Sequence, residues 1–379
     1  MSVGGRVRQM REMHRLTQAT LAREIPGLTQ SRLSRIESDL AELDDMTGEL
    51  LAVELSVKSE FFLRNPITNL VAQSPQLRAR NRLSQTAKTA VFRWAQIILE
   101  EFERLESVAK AIPLRLENLE GWQPQEAAQR VRRSLGFDDS SPLPYLVLAL
   151  ERVGITVIGI PHVEPQMDAF CAWEGTRPVV GILHGPPGDR VRWSVAHELG
   201  HLVLHRDVKK SATLEEEADA FAAELLIPIS SLRNEMPRVL KLSHLTALKS
   251  QWGASIKSLI RRARELGVID QDRALSLYKQ MSARGWNRSE PGYVPLEKPR
   301  AFRKLAEISF SSTIRIDAMA ADAAWSEPLA RKVLDRHASA EELPYERDYS
   351  HPSGKNVVDL ASMRRRQAAA ASKSEQLRL

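Results

Sequence analysis

A chain of 379 residues with 43% hydrophobic and 27% charged side chains is long enough for two or three hydrophobic cores, and no run approaches the ~20 apolar residues of a transmembrane helix. Its 54 lysines and arginines against 48 aspartates and glutamates leave a net charge of +6, which permits an anionic partner such as nucleic acid without proving one. The single cysteine, Cys171, excludes an internal disulfide and a multi-cysteine zinc site. With no signal-type apolar stretch at the N-terminus, a cytoplasmic protein is expected.

Residues 1–38 carry seven arginines against three glutamates, whereas residues 39–60 are acidic. A first helix is expected over 3–15. Thr17 then caps a short helix reaching Glu24, Ile25-Pro26-Gly27 breaks it, and a second short helix runs over 29–37. Two short helices joined by a glycine-containing turn make a helix-turn-helix candidate, closed by a helix over 49–63 that Asn65-Pro66 ends.

The stretch 75–120 is polar, helical and basic at its start. It reads as a connecting arm with one amphipathic helix over 91–111. A second region opens with helices over 124–135 and 142–152. Strands are signalled over 154–160, 167–173 and 178–183, the last two as a hairpin, and helices over 189–205 and 212–226 complete a small α+β domain. Helices over 243–251, 255–266 and 270–283 are expected to brace it, with the proline-containing loop 286–299 laid across. The last ~30 residues, with Arg364-Arg365-Arg366 and an alanine run, have few apolar side chains to bury and are expected to be disordered. The domain plan is therefore 1–66 helix-turn-helix, 67–120 connecting arm, 121–235 α+β domain, 236–300 helical brace and 301–379 C-terminal extension.

The sharpest chemical signal is His197-Glu198-Leu199-Gly200-His201. Residues four apart on a helix lie one above the other, so both imidazoles can reach one zinc ion at ~2.0–2.1 Å. Glu198 beside them can take a proton from a water that a bound zinc has acidified. A catalytic zinc takes a third protein ligand. On the next expected helix Glu215 and Asp219 share a face, Glu215 suited to bind the metal and Asp219 to accept the N–H of a ligating histidine. Glu216 and Glu217 then read as solvated neighbours, and His205 as an alternative third ligand. Zinc is the expected cofactor, with manganese the other metal considered.

The block from Arg190 to Pro228, with Ala-His-Glu-Leu-Gly-His, Glu-x-x-Ala-Asp-x-Phe-Ala and Leu-Leu-Ile-Pro, resembles the ImmA/IrrE family of metallo-endopeptidases over residues 142–228. That resemblance implies a zincin-like domain in which His197, His201 and Glu215 bind the metal and Glu198 is the base. Asp219 stands where asparagine is common, and both can accept a hydrogen bond from a histidine. The overall fold class expected is mostly α, with this small α+β metallopeptidase domain and an all-α N-terminal domain. His162, His184 and Tyr145 are candidates for stabilising a transition state.

Thr17-Gln18 through Leu21-Ala22, followed by Leu28 to Glu37, resembles the xenobiotic-response-element (Cro/repressor-like) helix-turn-helix family, with a turn one residue longer than usual. The resemblance implies that Gln30, Ser31, Arg32 and Arg35 face base edges or phosphates, with Gln18 near the backbone. Together the two halves suggest a regulator, dimeric on a double-stranded DNA operator, whose peptidase domain cleaves a repressor or antitoxin-type protein, this chain among the candidates. The alternative is a metal- or ligand-sensing transcription factor whose metal domain hydrolyses no peptide.

Overall fold

Continuous apolar runs, rather than strict alternation, mark the three strands, and the architecture explains why. In the computed structural model, which describes residues 2–65, 84–109 and 112–342 apart from 163, 165, 166, 184, 186, 207–211 and 238, residues 1–339 form one compact unit. Its sheet consists of β1 (Thr156–Ile160), β2 (Ala169–Glu174) and β3 (Arg177–Leu183) in the order β1-β3-β2. β1 runs parallel to β3, and β2 pairs antiparallel with β3 across the Gly175-Thr176 turn. Ile158, Ile160, Phe170, Val179 and Leu183 point into one hydrophobic core, while Val157, Ala169, Cys171, Val180 and Ile182 point into another. A sheet covered on both faces needs apolar residues at every position.

Helices α1 (Val3–Met13), α2 (Gln18–Glu24), α3 (Gln30–Glu37) and α4 (Asp45–Glu54) build the first core with a 3-10 helix, Ser59–Leu63. Thr17 and Thr29 cap α2 and α3 through their hydroxyls, accepting from the backbone N–H of Thr20 at 3.0 Å and of Arg32 at 3.2 Å. The single helix expected over 49–63 is interrupted: Ser56 takes a left-handed conformation, φ 61°, and Val57 pairs with Trp325 as an isolated bridge.

That pairing exposes the largest departure from the sequence reading. Helix α5 spans Gln85–Glu106 rather than 91–111, and within the expected connecting arm it is part of a core: Val91, Trp94, Ile98, Leu99 and Phe102 are buried, and it packs against α1 and β1. Residues 67–83, 110 and 111 of the expected arm lie outside the described residues. In the expected C-terminal extension, α14 (Ala301–Phe310), α15 (Ile316–Ala323) and α16 (Glu327–Leu334) insert Phe302, Met319, Trp325, Leu329 and Val333 into the first core. Helices of eight to ten residues are not stable alone and depend on such packing. Residues 340–379 form a second unit, of which the described part, 340–342, is a turn. The stretch expected to be disordered falls outside the described residues.

The second core is built on α6 (Pro124–Ser134), α7 (Leu146–Arg152), α8 (Gly188–Leu204), α9 (Ala212–Leu226) and α10 (Ile229–Glu235). Helices α11 (Leu242–Trp252), α12 (Ile256–Glu265) and α13 (Gln271–Ala283) add Leu245, Trp252, Leu259 and Leu277 to it. The sixteen α-helices among the described residues against one three-stranded sheet make the fold mostly α with a small α+β part. The loop after α13 lies across the start of α8. A Cβ on Gly188 would meet the carbonyl oxygens of Val294 and Pro295 at 2.4 and 2.3 Å, and Glu297 binds Arg192 while accepting the Val147 N–H at 2.7 Å.

Candidate metal centre

Helix α8 carries His197 and His201 one turn apart, and α9 crosses it closely enough to bring a carboxylate to both. The approach depends on Gly200, where a Cβ would sit 3.1 Å from the Phe221 ring and 3.2 Å from the Ala218 Cα. The result is a converging donor set. His197 Nε2 lies 3.2 Å from His201 Nε2, and the Glu215 carboxylate oxygens lie 3.5 Å from each of these nitrogens. Tetrahedral zinc with bonds of ~2.0–2.1 Å separates its ligand atoms by roughly 3.3 Å. Two imidazoles and one carboxylate at these spacings fit such an ion, in number and in donor chemistry.

Each histidine is held from behind by a different chain of groups. His197 Nδ1 donates to Asp219 at 3.0 Å, and the other oxygen of Asp219 accepts from Arg261 of α12 at 3.2 Å. His201 Nδ1 lies 3.0 Å from His205 Nδ1, and His205 Nε2 lies 2.8 Å from Glu217. The electrostatic consequences diverge. Burial disfavours charge on both rings; at His197 the Asp219 and Glu215 carboxylates outweigh it and push the imidazolium up to about 9. At His201 burial prevails over the attraction of Glu198, and the ring falls to about 4. Burial likewise works against the Asp219 charge, but His197 and Arg261 hold the carboxyl below its usual range.

Glu198 is buried on α8, close enough that its charge acts on both histidines. Two expectations change. His205 is not in the donor cluster of His197, His201 and Glu215; it stands behind His201. Glu217, expected only as a solvated neighbour, keeps a half-exposed side chain and is also the hydrogen-bond partner of His205. Arg261 was not anticipated at all, because it lies 42 residues from Asp219 on a helix that the sequence marks only as packing. His162 is outside the donor cluster as well, facing Glu164 at 4.0 Å, which in turn faces Arg15 of the N-terminal segment at 3.5 Å. Tyr145 is the cap residue of α7, and His184 lies outside the described residues.

On the N-terminal helices, Gln30, Ser31, Arg32 and Arg35 are exposed on α3 while Leu33 and Ile36 point inward. Gln18 is turned the other way, donating to Glu37 at 2.9 Å, a carboxylate that also holds Arg11 at 2.6 Å.

No curated protein matches the chain. Residues 150–264 match the family model of the M78 peptidases described as the IrrE N-terminal-like domain, a span that takes in the histidine pair, Glu215, Asp219 and also Arg261. Across those residues the chain is similar to the metallopeptidase-like domain of the ImmA/IrrE family.

Proposed function

We propose that this protein is a DNA-binding transcriptional regulator carrying a zinc-dependent endopeptidase centre, with manganese a second metal the same donors accept. The observation that carries the enzymatic part is the convergence of His197, His201 and Glu215 within 4.8 Å beside a buried glutamate on the same helix. His197, His201 and Glu215 would hold a zinc ion, which would supply a Lewis acid and make a water more acidic. The chain's own residues do the rest. Glu198 takes the proton of the attacking water as its oxygen adds to the scissile carbonyl carbon. It then delivers that proton to the leaving amine nitrogen as the C–N bond breaks. Asp219, backed by Arg261, keeps the Nδ1 proton of His197 in place so that Nε2 faces the metal.

For the DNA-binding part, support comes from the basic first segment and from α3, whose exposed Gln30, Ser31, Arg32 and Arg35 are residue types that pair with base edges and phosphates. Gln18, whose side-chain amide donates to Glu37 at 2.9 Å, would join the contact set near the DNA backbone only on leaving that partner. A symmetric operator would be met by a homodimer. The substrate class that suits the fusion is a repressor or antitoxin-type protein, this chain included. The deciding experiment incubates the full-length protein, alone and with such a protein, in zinc or manganese and maps new chain termini by mass spectrometry. New termini in wild type that are missing in Glu198→Gln support peptidase action. Their absence in both, with the metal retained, favours the ligand-sensing alternative.

A further inference from the structure

Behind His201 stands an arrangement that neither the ligand set nor the base requires, a second histidine and a second carboxylate in series. We propose that His205 and Glu217 are positioning residues that fix the tautomer of His201; this deepens the reading above and rests on His201 being a metal ligand. The His201 nitrogen that faces the donor cluster is Nε2, 3.2 Å from His197 Nε2 and 3.5 Å from Glu215. To offer a lone pair there, a neutral imidazole must carry its single proton on Nδ1. That nitrogen lies 3.0 Å from His205 Nδ1, and two ring nitrogens at this separation share one proton. His205 Nδ1 must therefore accept, which puts the His205 proton on Nε2, 2.8 Å from Glu217.

A carboxylate can only accept, so Glu217 sets the direction of the whole chain. His205 donates to Glu217, His201 donates to His205, and the lone pair of His201 is left on Nε2. The His201 and His205 side chains are 5% and 4% exposed, so water is poorly placed to replace a lost acceptor. The same contacts explain why His205 is no ligand: both its nitrogens are engaged, and it meets His201 on the side away from Glu215.

The test reads tautomers and metal affinity rather than hydrolysis. In metal-free, full-length protein labelled with 15N-histidine, NMR should show His201 protonated on Nδ1 and His205 on Nε2. His205→Phe keeps a ring of similar size but removes the acceptor. It should move the His201 proton towards Nε2 and weaken zinc binding, measured by competition with a chromophoric chelator, by roughly 10- to 100-fold. His205→Gln offers an amide oxygen to the same N–H and should stay within ~3-fold of wild type, a rescue that a merely space-filling role would not give. Should His205→Phe not fold, Glu217→Ala serves instead, since that side chain is 46% exposed; it should release the His205 proton from Nε2. A wild-type His201 protonated on Nε2, an unchanged zinc affinity in His205→Phe, or a Gln variant as weak as Phe would each overturn the proposal. Failure to hydrolyse any peptide would instead overturn the peptidase reading and leave the tautomer result standing.

Discussion

On α8 and α9 the polar atoms of His197, His201 and Asp219 meet fixed partners at 3.0–3.2 Å inside a largely buried setting. On α3 the corresponding polar side chains are exposed. Arg32 has one ion pair, with Asp44, in which both side chains are nearly half exposed, and Arg35 reaches the Leu40 carbonyl at a long 3.3 Å. The difference is the one that the two proposed roles would require. A centre that acts on one bond must have its geometry set before the substrate arrives, and buried networks supply that. A surface that meets another macromolecule must keep donors available, and exposed ion pairs of this kind contribute little to stability. Damage to the first region should therefore appear in metal content and chemistry, and damage to the second in binding alone.

The largest expected effect separates two roles within the centre. Glu198→Gln should keep about one equivalent of zinc while peptide hydrolysis falls by ~10²- to 10⁴-fold, the usual contribution of a positioned general base. His197→Ala and Glu215→Ala should each lower the zinc content measured on the purified protein. Full zinc retention in Glu215→Ala with loss in Glu216→Ala would move the third ligand to its neighbour.

Next in size is the core that the N-terminal helices share with α14, α15 and α16. Trp325 is 2% exposed and packs in the first core; it is flanked by the Lys58 N–H to Ala324 carbonyl bond at 2.9 Å and the Ser326 N–H to Ser56 carbonyl bond at 3.0 Å. Trp325→Ala should cost about 3–5 kcal/mol in urea unfolding. A cost near zero would mean that residues 301–339 contribute little to the first core.

Smaller still is the effect on α3. Arg35→Ala should weaken operator binding by about 1–3 kcal/mol and relax specificity at one position if it meets a base edge, or weaken all sequences alike and flatten the salt dependence if it meets phosphate. Its melting temperature should match wild type. A stability loss without a binding loss would reverse the contrast drawn between the two regions.

What the sequence made legible was the part that local geometry builds. Four-residue spacing on a helix brings His197 to His201, and the same spacing brings Glu215 to Asp219, so the donor set is readable before any tertiary contact is known. The hairpin and most helices of the second core were legible for the same reason. Partners distant in the chain were not. Arg261 reaches Asp219 from another helix, Val57 meets Trp325 from the opposite end of the compact unit, and α5 shows an apolar stripe without showing what covers it. The single helix expected over 49–63 failed because a turn at Ser56 serves that distant pairing, which no local propensity reveals.

The smallest expected effect concerns the joint between α5 and the C-terminal helices. Glu101 is 2% exposed, with one carboxylate oxygen lacking a hydrogen-bond partner and the other accepting from Arg104 at 2.9 and 3.0 Å. Arg104 also binds Asp322, just before the end of α15. Burial pushes the Glu101 carboxyl up to about 7, against the pull of Arg104 and with a further push from Asp322. A carboxyl whose folded value lies above its unfolded value of 4.5 favours the folded state most below pH 4.5. That contribution is lost as pH rises through about 7 and stays lost above it. Glu101→Gln, which cannot ionise, should therefore lack this share of the decline. Between pH 5 and pH 8 its melting temperature should fall less than that of wild type by roughly 2–4 °C, with the variant the more stable of the two at pH 8. Because His201, His337 and Glu151 titrate alike in both proteins, the difference between the two curves isolates Glu101. Parallel curves across that range would mean that Arg104 keeps the carboxylate ionised throughout, and the joint would then be an ordinary ion pair rather than a buried acid.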